Sequence, residues 1–237
     1  MAFFSRLRGQ ARSGAIFVAL GILLSRISGL VRERVFAHYL GNSLAAGAFK
    51  AALRIPNFLQ NLFGEGVLSA SFIPVYARLL AENRAALAGE MAGVIASLLG
   101  ILVSILVLAG VLLTPFLVSL VAPGFQGDAY LLTVKIVRVL FPGIGLLVLS
   151  AWCLGILNSH RKFFLSYAAP VLWNGAMIGA LIFYGSASTQ EDLVIHLAWG
   201  SFLGCFLQLL IQLPFVFRYA PRIRPGLNLA LREARVV

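Results

Sequence analysis

The sequence predicts an all-α, polytopic membrane protein of six transmembrane helices with a short amphipathic C-terminal tail, and three observations carry that reading. Sixty per cent of the 237 residues are hydrophobic and only 11% are charged, against about 25% charged in an ordinary soluble domain. A soluble chain with this mean hydropathy, +0.95, would expose apolar patches over much of its surface. Four stretches, 91–113, 139–160, 163–190 and 193–217, contain no Asp, Glu, Lys or Arg, and each has the roughly 20 residues a helix needs to cross a bilayer. The remaining charge, 19 Lys/Arg against 8 Asp/Glu for a net +11, falls mostly in short segments between apolar runs. That is the pattern of a cytoplasmic membrane face, not of a nucleic-acid-binding surface.

The spans should be helices, because backbone groups in hydrocarbon must be satisfied internally. The first begins at 13–25 (SGAIFVALGILLS) and continues through Arg26 and Arg32 to VFAHYL. Arg6, Arg8 and Arg12 with the apolar run 14–24 imitate a signal peptide. However, SRISG stands where an A-x-A-like cleavage site belongs, so the segment reads as a retained first helix. Residues 44–77 make the second span, apolar in bulk but carrying a polar stripe. The four charge-free stretches follow. Arg6, Arg8, Arg12, the 78–90 loop, the 160–162 turn (His160, Arg161, Lys162) and the tail from Arg218 lie on one side, which places both termini in the cytoplasm. Lys135 and Arg138 enter the fourth span as surface anchors. In the tail, Pro221 and Pro225 break any span, and 226–235 forms a short basic amphipathic helix on the membrane surface.

Within the spans, Pro142, Pro170 and Pro214 should bend the helices. Gly175/Gly179 and Gly200/Gly204 form GxxxG pairs suited to close helix approach. Cys153 and Cys205 sit in apolar runs with no CxxC or Cys/His cluster, and read as buried small hydrophobes. His38 and His196 have no partner at metal spacing. No metal site and no cofactor is expected, and with no GxSxG, HExxH or Walker loop the chain does not read as an enzyme.

The chemistry lies in KAALRIPNFLQNLFGEG, 50–66. Lys50, Arg54, Asn57, Asn61 and Glu65 are separated by four, three, four and four residues, a spacing that stacks them on one helical face. They span about 22 Å, much of the hydrocarbon depth. The first helix shows the same habit in SRISGLVRER, where Ser25, Arg26, Ser28, Arg32, Glu33 and Arg34 fall within ten residues. Each charge held mid-membrane costs roughly 2.5–3.5 kcal/mol, so several together need water, a counter-charge or an anionic ligand. Pairing of Arg26 or Arg32 with Glu33 or Glu65 would make the charges structural; lining a hydrated cavity would make them functional. Cations outnumber carboxylates here, which favours an anionic cargo, and the planar fork of arginine suits phosphate oxygens.

SRISGLVRE (25–33), AFKAALRIPNFLQNLFGEGVLSASFIPVYA (48–77), APGF (122–125), LNSHRKF (157–163), AAPVLWN (168–174) and QLP (212–214) resemble, in order and over essentially the whole chain, the MurJ/MviN family of lipid II flippases within the MOP exporter superfamily. The resemblance implies one lobe of a MOP-type transporter: residues 1–218 as the N-terminal six-helix lobe, and 219–237 as a cytoplasmic basic linker toward a missing C-terminal lobe of the same transporter. It implies the bacterial inner membrane, and movement of undecaprenyl-diphosphate-linked peptidoglycan precursor, lipid II, by alternating access. It also implies that Arg26, Arg32 and Arg54 belong to a cationic cavity and that Glu65 holds a recurring position. The chain departs from the family pattern at Gly47, where many members carry an acidic residue, and at Gln60 and Asn61, where an arginine is frequent. Two other readings stay open from sequence: an exporter of a polysaccharide-linked lipid or drug, and a membrane scaffold that does not transport.

Overall fold

The computed structural model describes residues 2–223 and 226; the side chains of 2–17, 56, 59–60, 63–67, 69 and 166–167 lie outside what is described. Every element among the described residues is a helix. α1 runs Ala2–Leu40 and α2 Leu44–Gln60. A π-helical stretch, Asn61–Phe72, leads directly into α3, Ile73–Ala81. There follow α4 (Ala85–Leu112), α5 (Thr114–Val121), α6 (Gly127–Ser159), α7 (Phe163–Ala168), α8 (Pro170–Tyr184) and α9 (Gln190–Tyr219).

Four helical units are long and apolar enough to cross a membrane: α4, α6, α7 with α8, and α9. They coincide with the four charge-free stretches, and the chain is a multi-pass membrane protein. Three boundaries differ from the charge-free stretches: α4 begins at Ala85 and α6 at Gly127, earlier than 91 and 139. The third of these units ends at Tyr184, not 190, and Pro170 opens α8 instead of bending a continuous span. Proline is favoured at a first helical position because its missing N–H would have no partner there. The two leading rods, α1 and α2 through α3, are helical as expected but interrupted by charges. The basic side chains of Arg6, Arg8 and Arg12 and, apart from Gly226, the tail helix expected at 226–235 lie outside the described residues.

α6 is the central helix. It packs on α9, α2 and α4, while α8 packs on α9 and α1 packs on α8 and α7. Outward faces are apolar: α4 exposes Ile101, Leu102, Ile105, Leu108 and Leu112, and α9 exposes Leu203, Phe206 and Leu210. Facing water, these would be aggregation-prone patches; facing acyl chains, they are the ordinary surface of a span. Thr189 caps α9 by accepting from the Asp192 N–H at 3.2 Å, and Glu191 and Asp192 fall in the first turn, where negative charge complements the helix dipole.

Only one of the two GxxxG pairs brings helices together. A Cβ at Gly204 would lie 2.7 Å from Trp173 Cα, and one at Gly200 would lie 2.7 Å from Ala180 Cβ, so α9 rides directly on α8. Gly175 and Gly179 have open space beside them, contrary to the close approach expected there.

Two helices end in the same way. At the end of α3, Asn83 N–H donates to Leu80 O and Arg84 N–H to Leu79 O; at the end of α6, Arg161 N–H donates to Asn158 O and Lys162 N–H to Leu157 O. Both are Schellman closures, with Asn83 and Arg161 each at φ +59°. That conformation suits glycine or asparagine and costs another L-residue about 1–2 kcal/mol.

Beside the second closure, His160 links three helices. Its Nε2 lies 3.1 Å from the Tyr76 hydroxyl of α3, and its ring stacks on Tyr219 of α9. The chain beyond α9 then straps over α4. The Arg222 backbone lies against Gly89, Ile223 is buried, and Gly226 N–H donates to Ser97 Oγ at 3.2 Å.

Gly204→Ala should therefore destabilise the fold by about 1–3 kcal/mol through overpacking, while Gly175→Ala, in open space within a helix, should leave the unfolding midpoint in detergent no lower and slightly raised. A pH dependence is also expected at His160. Burial first, and then the Lys162 charge, hold its imidazole below the ordinary 6.5. Among the described residues, Tyr76, Tyr219, Lys162, Arg222 and the adjacent Arg161 are titratable groups beside it. A base with a lowered folded-state value stabilises fully above the ordinary value and loses that contribution as pH falls through the lowered one. Thermal unfolding midpoints should fall on acidification below about pH 6.5, with a shallower fall in His160→Gln.

Candidate functional site

α2 is amphipathic in an unusual sense for a membrane helix. Ala45, Ala48, Phe49, Ala52 and Ile55 are buried, a recurrence of i, i+3, i+4, i+7 and i+10 that defines one helical face. The small alanines let that face lie close against α6. The other face carries Gly47, Lys50, Arg54, Asn57 and Asn61, all exposed. The stripe read from sequence is thus a continuous polar face over four of its five members. Glu65 sits in the π-helical stretch, where i→i+5 bonding widens the turn and helical spacing no longer sets the face; its side chain lies outside those described.

Lys50 is partly shielded, with Nζ 5.3 Å from the Phe36 ring centroid of α1. Phe36 in turn packs on Phe49 of α2, with centroids 5.8 Å apart. These contacts join α1 to α2, although α1 packs mainly on α8 and α7 and α2 mainly on α6.

Arg32 is held from α8. Its Nη1 donates to Asn174 Oδ1 at 3.1 Å, and its guanidinium lies 4.9 Å from the Trp173 ring centroid. Its Nη2 donates to Glu33 Oε1 at 2.7 Å, with the arginine side chain 17% exposed and the glutamate 54%. Asn174 is itself only 4% exposed. It donates to Ser28 Oγ at 2.8 Å, and Ser28 donates to Ser25 O. Trp173 donates from Nε1 to Ser201 Oγ of α9 at 2.9 Å. A chain of polar contacts therefore runs from α1 through α8 to α9, where Gly204 sits under Trp173.

Arg26 and Arg54 are exposed. Among the described residues, neither they nor Lys50 has a carboxylate at ion-pair distance. Lys135 and Arg138 are exposed on α6, away from its buried face. Cys153 and Cys205 are buried, and His196 stacks on Tyr184 at 4.1 Å between centroids. Among the described residues there is no group of three or more His, Cys, Asp or Glu able to hold a metal.

Sequence reading singled out Arg32 and its possible partner Glu33, which does pair with it, but not Asn174 and Trp173, which hold it from α8. The available signal was Asn174 itself, a strongly polar side chain in the middle of a charge-free run, which in hydrocarbon requires a partner. A polar residue in the third apolar stretch and a cation in the first helix are natural partners once both are taken to be membrane-embedded.

The family model for lipid II flippase MurJ matches residues 36–237. The lipid II flippase MurJ of Burkholderia cenocepacia is 35% identical over 194 residues, covering 81% of this chain and 37% of that protein. A probable lipid II flippase MurJ of Buchnera aphidicola is 29% identical over 215 residues, covering 90% and 41%. Among solved structures, lipid II flippase MurJ in an inward closed conformation aligns with TM-score 0.73 at 23% identity, over 91% of this chain and 44% of that one. A MOP superfamily transporter from Pyrococcus furiosus aligns with TM-score 0.72 at 17% identity, over 94% and 49%. These two likenesses establish the fold. The chain spans about 40% of the length of the curated relatives it matches.

The polar chain predicts that Asn174→Ala, which strips Arg32 and Ser28 of a buried partner, should destabilise the fold by about 1–3 kcal/mol. Ser201→Ala, which frees only the indole N–H, should cost less. Chemical unfolding followed by tryptophan emission checks both.

Proposed function

Because the chain belongs to the MurJ family of lipid II flippases, we propose that it is the N-terminal lobe of an alternating-access carrier for a diphosphate-linked lipid, the lipid II of the bacterial inner membrane. Residues 1–218 form the lobe as six spans, the first two being α1 and α2 through α3. Residues 219–237 lead toward a second lobe, and both ends of this chain lie in the cytoplasm. The cargo site is the polar face of α2 with Lys50, Arg54 and Asn57, together with Asn61 and Glu65 of the π-helical stretch and Arg26 and Arg32 of α1.

One observation carries this reading: α2 buries an alanine-rich face and leaves cations on the opposite, exposed one. Were Arg26, Lys50 and Arg54 to face acyl chains, the cost would be about 8–10 kcal/mol at 2.5–3.5 kcal/mol each. That is comparable to the whole stability of an ordinary domain, about 5–15 kcal/mol. A water-filled cavity closed on its far side by the second lobe removes the cost. It also gives a diphosphate several charge-assisted donors. The lipid tail stays in the bilayer while the head group occupies the cavity, and rocking of one lobe against the other exposes that cavity to each side in turn.

Arg32 differs from the other cations. Asn174 and Trp173 fix its guanidinium before any ligand arrives, so less rotamer entropy is lost on binding. Gly47 and Gln60 replace acidic and basic positions frequent in the family, which leaves this stretch of the chain with fewer formal charges than the family pattern and more weight on Arg54.

The test is complementation in cells depleted of their own lipid II flippase, with this lobe joined to the second lobe of the Burkholderia relative. Rescue is expected, with loss in Arg32→Ala and Arg54→Ala and normal rescue by Arg138→Ala. Rescue that survives substitution of all four cations, Arg26, Arg32, Lys50 and Arg54, would overturn the proposed site.

A further inference from the structure

At the end of the bundle marked by the α6–α7 turn, a cavity of about 340 Å³ lies away from the α2 face. Its walls are aromatic: Phe163 and Phe164 of α7, and Phe215 and Tyr219 from the last two turns of α9. Arg161 and Lys162 supply its charge. Lys162 Nζ lies over the Tyr219 ring at 4.7 Å, and among the described residues no carboxylate lines the space. Phe164 and Phe215 are 47% and 37% exposed, so two apolar rings stand open at the rim of the cavity.

Arg161 is the informative residue. It occupies the left-handed position of the Schellman closure of α6, with φ +59°, where glycine is the usual choice and where the equivalent closure of α3 uses asparagine. Its backbone hydrogen bonds would form equally well with glycine, so the closure does not engage the side chain, whose charge belongs to the cationic turn and lines the cavity.

We propose that this cavity is a binding site for an anionic phospholipid, separate from the cargo face. Arg161 and Lys162 take the phosphate, and Phe163, Phe164 and Phe215 take the glycerol and the first methylenes of an acyl chain. The volume suits such a fragment. The position also suits it: cations at the point where helices leave hydrocarbon, above exposed aromatic rings, match a lipid whose charge and chain are adjacent. Tyr219 couples the site to the rest of the fold, since its ring is shared by Lys162 and by His160. A lipid seated here therefore rests against the residue where α9 gives way to the strap over α4.

The test uses the purified, delipidated protein in neutral detergent, titrated with phosphatidylglycerol or phosphatidylcholine, with retained lipid counted by native mass spectrometry. Phosphatidylglycerol should be retained in preference to phosphatidylcholine. Arg161→Gly and Lys162→Gln should each weaken phosphatidylglycerol retention about fivefold, the effect of one cation near a lipid phosphate, and leave phosphatidylcholine unchanged. Arg161→Gly should unfold no earlier than the parent, because it relieves the left-handed position, so its loss of lipid cannot come from misfolding. Arg84→Gln, which removes a cation at the same end of the bundle, should retain phosphatidylglycerol normally. Equal retention of the two lipids, or unchanged retention in Arg161→Gly and Lys162→Gln, would overturn the proposal. So would an equal loss in Arg84→Gln, which would mean diffuse charge attraction. Displacement of the lipid by inorganic phosphate alone would also overturn it, since the site would then read a free anion and not a lipid.

Discussion

A cation in the middle of a membrane must be solvated by something, and on the proposed reading the arrangement of this protein follows from how Arg26, Arg32, Lys50 and Arg54 meet that demand. Arg32 is solvated by protein: a buried amide carbonyl, an indole face and a neighbouring carboxylate. Lys50 is half-met by the Phe36 ring. Arg26 and Arg54 have no such partner among the described residues. The protein thus grades its positive charge from fixed to open. On the proposed reading, the open end is solvated by water and by a diphosphate.

The packing makes that gradation possible. α2 approaches α6 closely because its inward face is alanine, which holds its polar face outward at a set angle. α8 holds Arg32 only because α8 is itself held, through Trp173 and Ser201, by α9 at Gly204. The contacts that matter to the candidate site therefore reach helices that contribute no charge to it. This is the usual design of a binding group that has to be in place before its ligand arrives.

Much of this was legible from residues alone. Spans appear as absences of charge over about 20 residues, and absence is easy to read, so α4, α6, α7–α8 and α9 matched in position, though not at every end. The stripe on α2 was legible because its spacing is helical and its background apolar. What escaped was whatever depends on which helix faces which. Gly175/Gly179 and Gly200/Gly204 are the same motif on paper, and only the partner across the interface distinguishes them. Asn174 is unremarked in a sequence until Arg32 is placed beside it, 142 residues away. The break at Pro170 and the π-helical stretch after Gln60 are local backbone events for which apolar periodicity carries no signal. Arg161 was read as part of a cationic turn, and only its backbone conformation distinguishes it from its neighbours.

The central claim is that the face of α2 bearing Arg54 and Asn57 meets water, whereas the exposed face of α4 meets lipid. Single cysteines at positions 54, 57 and 105, probed in intact membranes with a charged, membrane-impermeant maleimide, test it directly. The two native cysteines are buried and give a low background. Reaction at positions 54 and 57, with none at 105, is the expected result. Equal protection of all three would place the cations of α2 in a dry environment and contradict the account.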